Sequence, residues 1–305
     1  MLCIAPLQGH TDAPWRHFHA IRYGGRCTYF APFARLEHGN IRPRDLRDFT
    51  STLNEGIDFV PQVIFRDMAE LRTLVEALAA AGANRINLNI GCPFALQNSR
   101  GRGAALLATP ERLDGLADLA ASLPHISFSV KMRLGYDSPT QWRRAINAIN
   151  RMRPAFIAVH PRTARQQYSG DLHMDEFEAL LHSTDSPVIF NGELHTPAHI
   201  ADIVARYPSL GGVMCGRGIV GRPSLFAEYS AGAELPQPER IHRMKLFHAD
   251  LLRHYTETLC GPAQLLSHMR TFWEYSESEI GHKSLKQIRK ASTLPKYLAA
   301  VEALG

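Results

Sequence analysis

A chain of 305 residues that is 45% hydrophobic and 21% charged has the apolar mass for a large core and too little charge for a disordered segment. Its formal charge of +5 admits a polyanionic partner without identifying one, because a mild basic excess also solvates an ordinary surface. No apolar run approaches the roughly 18 residues of a bilayer-crossing helix, and the five cysteines, at 3, 27, 92, 215 and 260, include no CxxC pair, which argues against a disulfide framework or a zinc site.

The N-terminal segment MLCIAP carries no basic leader before its apolar residues, so a cytoplasmic protein with reduced thiols is expected. His17 and His19 stand two apart, a spacing that points them to different faces of a helix, and no metal is assigned.

Eight short β-branched or apolar runs bounded by turn residues follow in order. They are 2–6 (LCIAP), 28–34 (TYFAPFA), 59–64 (FVPQVI), 85–91 (RINLNIG), 127–133 (SFSVKMR), 156–162 (FIAVHPR), 187–192 (PVIFNG) and 211–218 (GGVMCGRG). Helical spacing of apolar residues fills stretches between them, at 68–83, 110–123 and 138–152. Eight strands alternating with helices predict the α/β class and a (β/α)8 TIM barrel, whose strand C-termini form one catalytic face. An open doubly wound sheet would need a topological switch and usually fewer strands.

After Pro236 and Pro238 the stretches 240–259, 263–278 and 294–304 are helical in pattern with no strand among them. The expected division is therefore a barrel over 1–235 and a helical domain over 236–305. Within the latter, Lys283, Lys286, Arg289 and Lys290 fall mostly on one helical face, which suits either solvent or a polyanion.

The predicted strand ends carry Gln62, Asn89 with Cys92, Lys131 with Arg133, His160 with Arg162, Asn191 and Arg217. Each alone has a structural explanation, but six strands ending this way define a site. Gly216-Arg217-Gly218-Ile219-Val220-Gly221 matches GxGxxG, yet no strand follows it as a dinucleotide fold requires. Together with Asn191-Gly192-Glu193 it suits the phosphate site that barrels build after strands 7 and 8. Cys92 stands where a strand gives way to a loop; with a reference pKa of ~8.5 its thiol suits a general acid or a nucleophile, and both roles stay open. Cys3 and Cys215, inside apolar strands, fit a buried structural part better.

The ordered set APLQGHTDAPWR (5–16), NIGCP (89–93), KMRLG (131–135), HPRTARQQY (160–168), NGE (191–193) and VMCGRG (213–218) resembles the tRNA-dihydrouridine synthases, from about residue 4 to 223 with a weaker continuation to the end. The resemblance implies an FMN with Pro6, Leu7 and Gln8 beneath its ring, Gln62 along its polar edge and Lys131 and His160 facing it. It places Asn191, Gly192, Glu193, Gly216 and Arg217 at the phosphate end, with NADPH as the electron donor. Cys92 falls on the family's catalytic cysteine, which protonates uracil C5 after hydride reaches C6. A positive Lys131 near flavin N1 and O2 would favour the anionic reduced cofactor.

The same resemblance implies tRNA as the partner, and a monomer is expected. The target uridine has to be unstacked at a cost of a few kcal/mol, offset by phosphate contacts from Arg270, Lys283, Lys286, Arg289 and Lys290. Asn89, Arg133 and Arg162 are assigned to the incoming nucleotide. The chain departs from the family pattern at Ala95, at Ala31-Pro32, at Phe65 and at Arg222, the first two near the incoming base. Rival readings are a flavin reductase of a small pyrimidine or enone, a synthase acting on another RNA, a Schiff-base aldolase using Lys131 and a non-catalytic RNA-binding or folding protein.

Overall fold

The structure, a computed structural model, describes every residue of the chain except Gly25. The strands are β1 (Leu2–Ile4), β2 (Thr28–Phe30), β3 (Leu36–Glu37), β4 (Asn40–Ile41), β5 (Phe59–Val60), β6 (Gln62–Ile64), β7 (Arg85–Ile90), β8 (Ser127–Gly135), β9 (Ile157–Thr163), β10 (Val188–Phe190) and β11 (Gly212–Cys215). All but β3 and β4 join one parallel sheet in the order β5-β2-β1-β11-β10-β9-β8-β7-β6. Segments β5 and β6 are the predicted run 59–64 broken at Pro61, which has no N–H to give a ladder. One half of that run pairs with β2 and the other with β7, so the sheet closes on itself and the predicted eight-membered barrel is the observed one.

Most strands end earlier than their apolar runs. Pro6, residues 31–33 and Asn191–Gly192 leave the ladder and become loops over the barrel mouth, while Gly216 leads into the short helix Arg217–Gly221. The antiparallel pair β3–β4 was not predicted. Its turn residues His38 (φ 51°) and Gly39 (φ 81°) both have positive φ, the geometry of the tight hairpin turns that match strand twist.

Period-two alternation sets what faces inward. Cys3, Ala5, Phe30, Val60, Ala158, Ile189 and Met214 cluster with Phe156, separately from their chain neighbours Ile4, Tyr29, Val159, Phe190 and Cys215, which join the larger core that also contains the helices' apolar residues. The first set is the apolar plug of the barrel. Two residues further along the same strands, the inward positions become His160 and Asn191, followed on the β9 side by Arg162. The plug thus gives way to polar groups at the C-terminal rim.

The C-terminal helices are Gln237–Thr258, Gly261–Thr271, Glu277–Lys290 and Leu294–Glu302. The expected helix over 263–278 is two, separated by the buried Trp273 and Ser276, and the third bends at Gly281 (φ 78°). These helices share the large apolar core with the barrel. Phe247 meets Trp15 edge-on at 5.6 Å, the Tyr255 hydroxyl donates to both Asp12 carboxylate oxygens at 2.7 and 2.8 Å, and Arg22 pairs with Asp250 at 2.5 Å. Asp12 also caps the helix Ala13–Tyr23 through the Trp15 amide, so one carboxylate starts a barrel helix and anchors the C-terminal helices.

Candidate active site

The loops after β1, β2, β7, β9, β10 and β11, together with the C-terminal halves of β8 and β9, line a cleft at the barrel mouth. Of the predicted site residues, Pro6, Leu7, Gln8, Asn89, Cys92, Lys131, Arg133, His160, Asn191, Gly192, Glu193, Gly216 and Arg217 all line it.

Gln62 and Arg162 do not line it, and both act from behind. Gln62 is buried, donates to Asn87 Oδ1 at 2.7 Å and accepts from Asn89 Nδ2 at 2.8 Å. Arg162 is buried and pinned to the Gly170 carbonyl by Nε and Nη2, while its Nη1 donates to Glu193. Lys283, Lys286, Arg289 and Lys290 are exposed away from the cleft, with Arg289 donating to the Glu274 carbonyl at 2.9 Å. Arg270 is half-buried with its Nε enclosed and unpaired.

The position of Cys92 follows from Asn89. As β7 ends, the Asn89 carboxamide oxygen accepts from the backbone N–H of Gly91 at 3.0 Å and of Cys92 at 2.9 Å. The chain turns sharply there. A Cβ on Gly91 would lie 2.9 Å from the Met132 carbonyl carbon of β8, so only glycine fits. Gly103 (φ +62°) presses from the other side, where an added Cβ would sit 2.9 Å from Cys92 Cβ. The thiol is thus held at the rim, buried against Phe33 and Ile64. Burial pushes its pKa up, and Lys131 and Arg133 counter only in part, so the sulfur is a protonated acid at neutral pH.

Beside it the cleft is cationic. Burial lowers Lys131 to about 8 and Arg133 to about 10, each also depressed by the neighbouring positive charge. Burial and the four surrounding cations push His160 well below the ordinary histidine value, so its imidazole is neutral. The carboxylate that answers these charges is Glu193, accepting from Arg162 and from Arg217 at 2.9 Å. It is held at about 2 by His195 first and then by those arginines. Tyr168 fills the space between cations, with Arg217 4.2 Å and Arg133 5.4 Å from its ring centre.

The loops after β10 and β11 are pressed together. A Cβ on Gly218 would stand 1.9 Å from the Leu194 carbonyl oxygen, which accepts from the Cys215 thiol at 3.0 Å. Asn191 Nδ2 donates to the Met214 carbonyl at 2.8 Å. Glycine at 218 therefore permits the contact that brings Gly192 and Arg217 to one end of the cleft.

Sequence reasoning missed His10, Phe33, Phe94, Tyr168, His195 and Tyr275, which also line the cleft. Tyr168 was legible as the last residue of HPRTARQQY. His10 and Tyr275 meet only through tertiary packing, their rings 5.1 Å apart and His10 Nε2 3.2 Å from Glu274, and no local pattern announces that. Of the departures from the family pattern, Phe65 is fully buried in the core, and Arg222 forms a buried pair with Glu228, joined by Glu234 at 2.7 Å.

Three comparisons bear on this arrangement. The family model described as "Dihydrouridine synthase (Dus)" matches residues 3–301. A "Probable tRNA-dihydrouridine synthase" of Rhizobium leguminosarum bv. phaseoli is 30% identical over 276 residues, 88% of this chain and 82% of that protein. The "tRNA-dihydrouridine synthase B" of Vibrio parahaemolyticus is 25% identical over 99% of this chain and 94% of its own length. Among solved structures, morphinone reductase superposes with a TM-score of 0.52 at 11% identity, covering 77% of this chain and 86% of that one, a likeness of fold alone. With the model spanning nearly the whole chain, this protein belongs to the dihydrouridine synthase family.

Proposed function

We propose that the enzyme reduces the C5=C6 bond of uridine in tRNA to 5,6-dihydrouridine, with FMN bound in the cleft, NADPH as donor and Cys92 as the proton source. The observation that carries this is the pairing, in one cleft, of a protonated thiol with a group of cations and a glycine-lined end.

The cleft's residues fit a flavin phosphate. Arg217, the glycines at 192 and 216 and the tight contact of the two loops make an anion-accepting end, and Lys131 with Arg133 supplies positive charge beside the thiol. When bound, the flavin supplies the hydride for uracil C6. Cys92 holds the matching proton at Sγ for C5. Its raised pKa keeps that proton in place until negative charge develops on the ring, and Lys131 and Arg133 stabilise the thiolate left behind. Asn89 orients the thiol through the two amides it caps. The neutral His160 supplies a hydrogen-bonding group without adding a further charge.

The helices over 236–305 are proposed as the RNA-binding domain, with the exposed Lys283, Lys286, Arg289 and Lys290 on backbone phosphates. Among the described residues no helix is long and apolar enough to cross a membrane. That accords with an enzyme working on tRNA in the cytoplasm.

The test is Cys92→Ala with native tRNA from a strain lacking the gene. The variant is expected to purify yellow and to oxidise NADPH, while mass spectrometry finds no dihydrouridine formed. Wild-type dihydrouridine formation by that variant would remove Cys92 from the mechanism, and a colourless wild-type protein would remove the flavin.

A further inference from the structure

A second basic surface lies across the mouth from the C-terminal helices. Two adjoining hollows, one bounded by Leu36, His38 and Arg102 and the other by Asn98, Arg112 and Tyr136, share Arg66 and Arg100 as their common wall. Gly101 (φ +72°) lines the second hollow, where an added Cβ would lie 2.6 Å from Arg112 Nη1 and 3.8 Å from Arg66 Cβ. The left-handed backbone at Gly101 favours glycine and turns the chain between Arg100 and Arg102.

The acids in this region are largely engaged. Glu37 pairs with Arg35, Asp67 with Arg66, and Glu70 with Arg102. Among the described residues Arg100 and Arg112 have no carboxylate within ion-pair distance. Arg102 is the most informative. It is 6% exposed, it donates to Glu70 and to the Leu36 carbonyl, and its Nη1 is enclosed without any partner. A buried guanidinium nitrogen left unpaired is costly unless an acceptor joins it.

We propose that this groove binds backbone phosphates of the RNA that delivers the target nucleotide. Planar guanidinium forks match phosphate oxygens in pairs, and four arginines from the loops after β6 and β7 form one continuous anion-binding wall. The placement favours a long polyanion over a small one. In the closed ring of strands β7 and β11 are four steps apart in either direction, hence opposite. The helix Glu277–Lys290 packs against the segment Arg217–Gly221 that follows β11. A ligand reaching both basic surfaces therefore crosses the mouth over Cys92. The groove is also tied to the thiol, since the loop that carries Arg100 and Arg102 continues into Gly103 and Ala104, whose amide donates to the Cys92 carbonyl at 3.2 Å.

The inference rests on the proposed RNA substrate, and its test separates the two. Binding of unmodified tRNA is measured by fluorescence anisotropy over a series of KCl concentrations for the wild-type holoenzyme and for R66Q/R100Q, with R100Q/R112Q as a second variant in case the first unfolds. Melting temperature serves as the fold control. Each lost phosphate contact is expected to make the salt slope shallower by about 0.7 to 1, so each double variant should lose about 1.4 to 2 in slope and on the order of tenfold in affinity at low salt. A competing arm with inorganic phosphate at millimolar concentration should leave wild-type tRNA binding nearly intact, because one phosphate cannot bridge the two surfaces. Wild-type affinity and slope in a folded double variant would overturn the groove, as would a raised KM for NADPH with RNA binding unchanged. A wild-type protein with no salt-dependent affinity for RNA would instead overturn the RNA reading itself.

Discussion

Replacing Asn89 with Ala should separate positioning of the thiol from stability of the barrel. The carboxamide makes three buried hydrogen bonds, accepting from the amides of Gly91 and Cys92 and donating to Gln62. At roughly 1 kcal/mol each the loss is about 3 kcal/mol. An unfolding entropy of ~2.1 cal/mol/K per residue, applied to 305 residues, converts this to a drop of about 5 °C in melting temperature. Asn87→Ala is the control. It removes the bonds to Gln62 and to Ser129 Oγ, about 2 kcal/mol by the same reckoning, and leaves the Cys92 turn capped. Both variants should melt lower, but only Asn89→Ala should also lose kcat for dihydrouridine formation, on the order of 100-fold, because the sulfur is no longer fixed. Scanning calorimetry and single-turnover kinetics on tRNA measure the two effects. An unchanged melting temperature for Asn89→Ala, or equal kcat losses in both variants, would refute the assignment of Asn89 to the turn.

Two further outcomes follow from buried charge. Arg222→Ala strands Glu228, which is 2% exposed, and breaking such a pair costs about 3–5 kcal/mol, so the melting temperature should fall by roughly 5–8 °C. The apolar double substitution R222M/E228L should recover most of that loss, and denaturant titration of both variants checks it. Lys131, at about 8 in the folded chain against ~10.4 unfolded, gives a signed pH effect in the flavin-free protein. Between pH 8 and about 10.4 the unfolded state binds the extra proton, so the contribution of this group to stability rises with pH across that window. The difference in urea midpoint between wild type and Lys131→Met should rise from pH 7 to 10, which separates this lysine from the buried thiols that titrate in the opposite sense. Equal slopes would contradict the depressed value.

The barrel was legible because parallel strands are buried on both faces and so read as short apolar runs punctuated by turn residues. The break at Pro61 lay inside a run that had already been recognised. The hairpin β3–β4 was not legible, since two residues per strand give no periodicity. The window 263–278 kept its helical spacing of apolar residues through Trp273, whose burial against His248 and Tyr297 is a tertiary fact that ends the helix for reasons outside the local pattern. Site residues at strand ends were legible as polar positions on inward-facing phase. Whether such a residue faces the cleft or braces one that does was not, and Gln62 and Arg162 proved to be braces. His10 and Tyr275 belong to segments 265 residues apart and could only be found by folding the chain.

That division between facing and bracing residues explains the charge pattern of the cleft. Lys131 and Arg133 are pushed down by burial, so the enclosed cations are less stable there than in water and the arrangement favours an anion. Glu193 neutralises only the Arg162–Arg217 end, and does so from a left-handed backbone position (φ 47°) that costs about 1 kcal/mol or more for a residue other than glycine. A carboxylate kept at that cost orients the arginines without filling the glycine-lined space beside them. On the proposed reading this gives the cofactor its polarity, with the phosphate toward Arg217 and the ring toward Cys92. Replacing Glu193 with Gln should then weaken flavin retention through misaligned arginines rather than strengthen it through added positive charge. Tighter flavin binding by that variant would show that net charge, and not orientation, governs the site.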